Sequence, residues 1–246
     1  PPQFAKTREA DPDWSQYEEE GGQGLHGFNS HLHSDEAMKR SIASYYGMTS
    51  LIDYEIGRIL DYLDEAGLAD NTLVVFTSDH GHFLGQHGLI AKGAFHYEDL
   101  LRVPMIVRYP GKVPAGETSS SLQSLVDYPQ TLLHAAGIEA PGSMQGVDQL
   151  DVWYGAAEKA RDRVMVENRH NPTTVDLRTL ITDRYKITVY RDANYGELFD
   201  LVADPKELVN HWDDPDYAGV KTDMLLRFAQ AEIQREPTRM ARVAGA

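Results

Sequence analysis

The sequence predicts an α/β fold: part of a mixed, largely parallel sheet flanked by helices, then a small C-terminal antiparallel sheet with a packed helix. Three observations predict it. A long helical pattern from Ser34 to Gly67 leads into the short apolar run Leu73–Phe76. A second apolar run, Val103–Val107, precedes another helical stretch at residues 124–138. Beyond about residue 150 the segments become short, β-branched and alternating, and a final helical pattern closes the chain. The reading divides the chain into residues 1–150, a portion of a large α/β domain, and 151–246, a small α+β subdomain.

Residues 1–33 are polar and rich in Pro, Gly and Glu, and read as an extended, exposed segment. In the first helix Ser34 is the expected N-cap, with Asp35 and Glu36 in the first turn. Met38, Ile42, Tyr45, Ile52, Ile56, Ile59 and Leu63 form a stripe in steps of three and four in which only position 49 is taken by a threonine; the stripe is expected to face a core, and Gly67 fits the helix end. Leu73–Phe76 reads as a strand buried on both faces of a parallel sheet. Pro104 places the Val103–Val107 strand at an edge or at a strand start. In "RTLITDRYKITVYRD", Tyr185, Ile187 and Val189 alternate with Lys186, Thr188 and Tyr190. Together with "RVMVEN" and "GELFDL" this stretch predicts the antiparallel sheet. The last helix is expected to be capped by Asp213 or Asp214, with Val220, Met224 and Phe228 inward.

Acidic side chains outnumber basic ones 38 to 23, a formal charge of −15, which repels phosphate backbones and argues against nucleic acid as a partner. An anionic substrate then needs local positive charge. There is no cysteine, so disulfides, zinc–thiolate sites and thiol nucleophiles are excluded for this chain. No run of 18 apolar residues is present, so no membrane-spanning helix is expected. The start, "PPQFAKTREADPDW", reads as a mid-protein cut.

The chemistry gathers in "TLVVFTSDHGHFLGQHGLIAKG", residues 72–93. In open α/β sheets ligands collect beyond the carboxyl ends of strands, where Asp79 and His80 stand. Adjacent residues on a continuing strand point to opposite faces, so both reach one ion only if the backbone turns, which Gly81 permits. A carboxylate oxygen suits Ca²⁺ or Mg²⁺; an imidazole leans towards Mn²⁺ or Zn²⁺. The plainer alternative is an Asp that caps a turn beside an exposed His. Lys92 could reach back and offer a compact cation to an anionic ester, or be an exposed loop lysine. His96, in "FHYED", could approach a substrate cleft. His82 and His87 read as structural or exposed, Glu98 as a pairing or capping residue, and "HLH" at 31–33 as a solvated loop despite its metal-like spacing.

Together with "YYGMTSLIDYEIGRILDYL", "KGAFHYEDLLRVPMIVRYPG", "LVDYPQTLLHAAGI" and "GELFDLVADPKELVN", this stretch resembles the second half of the sulfatase family of the alkaline-phosphatase superfamily. The ordered set covers most of residues 34–235. The resemblance implies that Asp79 and His80 are the second pair of ligands to a divalent cation, usually Ca²⁺, with Mn²⁺ or Mg²⁺ as alternatives. The family often has Asn where His80 stands. The resemblance also implies that Lys92 binds the sulfate and assists the leaving oxygen. The nucleophile expected from it is a formylglycine made from Cys or Ser in Cys/Ser-x-Pro-x-Arg. None of the twelve prolines has Cys, Ser or Thr two residues before it. The expectation is therefore the C-terminal part of a hydrolase of small-molecule or carbohydrate sulfate esters, inactive alone and partnered by its own N-terminal half. A phosphonate monoester or phosphodiester hydrolase of the same superfamily is the near alternative. A non-catalytic binding or oligomerisation chain is the distant one, and a homo-oligomer stays open.

Overall fold

The computed structural model describes residues 28–29, 34–169 and 176–235, so the polar segment before residue 28 and the "HLH" stretch lie outside the described residues. The described residues fall into two compact units. One holds residues up to 115 together with 206–209; the other holds 116–169, 176–205 and 210–235. The change of character near residue 150 lies inside the second unit.

In the first unit, β1 (Phe28–Asn29) is followed by α1 (Asp35–Glu65). Ser34 caps α1 as expected: its side chain accepts from the Ala37 amide at 3.2 Å, with Asp35 and Glu36 in the first turn where carboxylates are favoured. The helix ends at Ala66, and Gly67 follows with φ 67°, the left-handed conformation that favours glycine. The expected burial of the stripe is not observed. No residue of α1 is buried, and Ile52 and Ile59 are 54% and 62% exposed. Periodicity shows that one helix face is apolar; it does not say what covers that face.

Next come β2 (Val74–Thr77), β3 (Phe83–Leu84), β4 (Leu89–Ala91), the one-turn helix α2 (Glu98–Leu101) and β5 (Met105–Arg108). β4 lies between β1 and β3, and β2 pairs only with β5 among the described residues. Val75 faces Val107 and Thr77 faces Met105 in an antiparallel register. The expected parallel, doubly buried setting of these two strands is thus corrected: the pair is antiparallel, and every residue of β2 is half-buried. A short apolar run carries no signal of its partner's direction, so the sequence could not distinguish the two. Pro104 stands just before β5, at the strand start.

The second unit contains α3 (Asp127–Ala135), α4 (Leu150–Trp153), a four-stranded antiparallel sheet and the closing helix α5 (Ala218–Arg235). The sheet order is β6 (Arg163–Arg169), β7 (Asp176–Thr182), β8 (Tyr185–Tyr190) and β9 (Gly196–Asp200). Leu180, Ile187 and Leu198 are fully buried on one face and pack with Met224 and Ala231 of α5, flanked by Val220 and Phe228. Burying each large side chain contributes about 2 kcal/mol. Asp214 caps the short 3₁₀ turn Pro215–Tyr217 that leads into α5, accepting from the Asp216 amide at 3.0 Å. Alternate positions Thr179, Lys186 and Thr188 are also buried, so both faces of this sheet are covered. Buried Asp127 organises the turn into α3. It accepts from the amides of Ser124 and Val147 at 2.9 and 2.8 Å and from Gln149 Nε2 at 3.0 Å, and pairs with Arg161.

Candidate active site

The site lies just beyond the C-terminal end of β2. Asp79 and His80 converge there: Asp79 Oδ2 stands 3.6 Å from His80 Nε2. Asp79 is 82% exposed at its side chain and His80 35%. Asp79 Oδ1 already accepts the His80 backbone N–H at 2.9 Å, which leaves Oδ2 on the side facing the ring. That N–H is the largest reason the Asp79 carboxyl is held below its ordinary range; the adjacent His80 ring is second. His80 Nδ1 lies 2.7 Å from the carbonyl oxygen of Gly81, which can only accept. Nδ1 therefore carries the proton, and Nε2 presents its lone pair outward.

Lys92 points at that lone pair, with Nζ 3.0 Å from His80 Nε2. Sequence spacing cannot show this contact; backbone conformation makes it. Ala91, the last residue of β4, has φ 66°, which turns the chain immediately before Lys92. The left-handed conformation costs a residue with a Cβ about 1–2 kcal/mol, and such strain concentrates at functional sites. All three residues singled out in the sequence are thus brought together.

Gly81 matters for a different reason from the expected turn. Its φ is not among the positive ones; instead a Cβ there would lie 1.9 Å from the Asp99 carbonyl oxygen. The Gly81 amide donates to the Leu100 carbonyl at 2.7 Å. The loop is thus pressed, backbone to backbone, against α2. His87, with φ 53° and 7% exposed, supports the same junction. Its ring stacks on Tyr97 at 3.7 Å and its Nε2 lies 3.5 Å from Asp99 Oδ2. His87 is therefore structural, as the sequence suggested.

His82 stacks on Tyr45 of α1 at 5.0 Å, beside a groove of about 720 Å³ that Met48 and Ala91 also line. Burial, then the neighbouring His80 and Lys92, push its pKa down. His96 is only 4% exposed and enclosed next to buried Phe95 and Tyr97, so its ring is not open to solvent. Glu98 is held at the start of α2, where its amide donates to Glu207 Oε2 at 2.6 Å. Sequence reading missed Glu207. Its only signal was membership of the "DPKELVN" stretch.

Two donors bound to one hard cation at about 2.3–2.4 Å and near right angles stand roughly 3.3 Å apart, so the Asp79–His80 separation suits a shared ion. Among the described residues no group of three or more His, Asp or Glu side chains is placed to hold a metal ion. Helices layered on strands, with an Asp–His pair past a strand end and a lysine folded onto it, define an α/β chain whose site sets a carboxylate, an imidazole and an ammonium group side by side.

The chain belongs to the sulfatase family. Residues 1–138 match the family described as Sulfatase, and residues 85–234 match that described as N-sulphoglucosamine sulphohydrolase, C-terminal. It is similar to the N-acetylglucosamine-6-O-sulfatase of Bacteroides thetaiotaomicron, 34% identical over 197 residues that make up 77% of this chain and 35% of that protein. Among solved structures it resembles one in complex with its substrate D-glucosamine-2-N,6-O-disulfate. That structure has a TM-score of 0.70 and 32% identity, covering 77% of this chain and 40% of the other. It also resembles the phosphonate monoester hydrolase of Agrobacterium radiobacter, with a TM-score of 0.75 and 28% identity, covering 82% and 43%. The chain spans well under half the length of each of these relatives.

Proposed function

We propose that this chain carries the C-terminal part of the active site of a sulfuric ester hydrolase acting on carbohydrate sulfate esters. The observation that carries the reading is the Asp79–His80–Lys92 contact set, with Lys92 Nζ 3.0 Å from His80 Nε2. Asp79 Oδ2 and His80 Nε2 would hold a divalent cation, Ca²⁺ first and Mn²⁺ or Mg²⁺ as the other fits. When bound, it supplies electrostatic stabilisation to a transferring anionic group. The remaining ligands and the nucleophile, expected as a formylglycine, come from the N-terminal part of the same protein. The bare apolar face of α1 is a surface that such a part would cover.

Within this chain the roles divide by chemistry. The Gly81 carbonyl holds the Nδ1 proton of His80, which keeps Nε2 available as a donor. With that lone pair given to a cation, Lys92 would have no acceptor there, and its ammonium would be free to face the sulfuryl oxygens and the departing alkoxide. There it offsets developing negative charge or delivers a proton to the leaving oxygen. On a chain of net charge −15 this local ammonium is the needed counter-field. His96 would act on substrate only if its enclosure opened. The isolated chain is expected to have no ester hydrolase activity.

A sugar sulfate as substrate is supported by the relatives whose names and bound substrate are glucosamine sulfates. The structural likeness to a phosphonate monoester hydrolase supports the second reading. Turnover of 6-O-sulfated N-acetylglucosamine and of an aryl phosphonate monoester by the full-length protein separates them. The sulfate ester is expected to have the higher kcat/KM by about tenfold or more. A preference for the phosphonate would overturn the proposal.

A further inference from the structure

We propose that Glu207 is a positioning residue for the Asp79–His80 pair, acting from the far end of the sequence through the backbone of α2. The proposal rests on the reading of that pair as working groups. Glu207 is 2% exposed, and residues 206–209 belong to the first unit, with the site, although the chain on either side belongs to the second. Its backbone is left-handed, with φ 53°, a conformation unfavourable for any residue with a Cβ. Its Oε2 accepts the Glu98 amide at 2.6 Å across 109 residues of sequence. Tyr97, the local cap residue of α2, has no side-chain capping bond, so Glu207 supplies the cap that the local sequence lacks. A carboxylate there also complements the positive end of the helix turn.

What α2 does next ties this cap to the site. Its Leu100 carbonyl accepts from the Gly81 amide at 2.7 Å, and its Asp99 carbonyl sits where a Gly81 Cβ would be. Its Asp99 carboxylate also lies 3.5 Å from His87 Nε2. Gly81 in turn provides the carbonyl that fixes the His80 tautomer at 2.7 Å. The path is therefore short and made of named contacts: Glu207 to Glu98, through one helical turn to Leu100, to Gly81, to His80. A one-turn helix has little stability of its own, so its remote cap controls whether the platform under Gly81 holds its shape.

The test uses the full-length protein with Glu207→Ala, Glu207→Gln and, as a control for general destabilisation, the remote core change Ile187→Val. Amide hydrogen exchange is read at residues 79–84 and 98–102, with β6–β9 as internal reference. E207A is expected to speed exchange of the Gly81 and Leu100 amides about tenfold, leaving β6–β9 within twofold. E207Q keeps an acceptor oxygen and is expected to stay within threefold of wild type, and I187V is expected to leave Gly81 unmoved. In turnover, E207A is expected to lower kcat by about tenfold with KM within threefold. Unchanged Gly81 exchange in E207A, equal acceleration throughout the chain, or E207Q matching E207A would overturn the proposal. So would normal turnover in E207A while Asp79→Ala is inactive. Full activity of D79A would instead overturn the reading of the pair, whatever the exchange shows.

Discussion

Replacing Gly81 with alanine places a methyl carbon 1.9 Å from the Asp99 carbonyl oxygen, 2.9 Å from its carbon and 3.0 Å from Leu100 Cα. All three are backbone atoms of α2, so no side chain can rotate away. The loop and the helix turn must part by roughly 1 Å or more to reach ordinary contact. The same displacement stretches the 2.7 Å bond from Gly81 to Leu100 and carries the Gly81 carbonyl away from His80 Nδ1. Overpacking of this kind costs about 1–3 kcal/mol, which for a protein of this size or larger lowers Tm by roughly 2–4 °C per kcal/mol. A misplacement of about 1 Å at a site that positions charge costs on the order of 10²-fold in rate. The expected result for G81A in the full-length protein is a modest Tm loss with a kcat loss near two orders of magnitude. Scanning calorimetry and steady-state turnover of a sulfate ester read both. Wild-type Tm with kcat within twofold would show that the loop is not pinned against α2 and would refute the reasoning.

Lys92→Ala should lower kcat/KM for sulfate esters by about 10²–10³-fold without moving Tm by more than a degree or two, since the ammonium is exposed and its loss removes a stabilising charge, not packing. Asp200 is wholly buried at its side chain and accepts from Arg184 Nη2 at 2.8 Å and from the Val202 and Ala203 amides at 3.1 Å. Its pKa is lowered first by the Arg184 bond. The associated stability is thus present above the unfolded carboxylate pKa, about 3.9, and disappears as pH falls through the lower folded value. Asp200→Asn should cost about 2 kcal/mol at neutral pH and flatten the acid limb of an unfolding titration below about pH 4. The bare face of α1 should make the isolated 246-residue chain bind an apolar dye and self-associate. A double change, Ile52→Lys with Ile59→Lys, should reduce both effects in light scattering. That same isolated chain should show no turnover of an aryl sulfate.

Much of this was legible in the residues. Ser34, Asp214 and the inward face of α5 were readable because caps and helical stripes are local signals. Asp79, His80 and Lys92 stood out as chemistry-bearing types past a strand end, and the fold brings them together. What the sequence concealed was relational. The direction of pairing between β2 and β5 depends on a partner strand rather than on either apolar run. The α1 stripe declared an apolar face without declaring its cover. Gly81 looked like a turn residue, whereas its lack of a Cβ serves a close backbone approach to a segment 18 residues later. Glu207 carried no local sign of its contact, because a cap supplied from 109 residues away has no sequence pattern.

The central claim is that Asp79 and His80 hold a divalent cation in the service of Lys92. Calorimetric titration of Ca²⁺ and Mn²⁺ into the metal-stripped full-length protein and its Asp79→Ala variant tests it most directly. One ion per chain is predicted for the wild type, with affinity weakened about 10²-fold or more in D79A. Equal affinity in the two proteins, or no ion bound by the wild type, would contradict it.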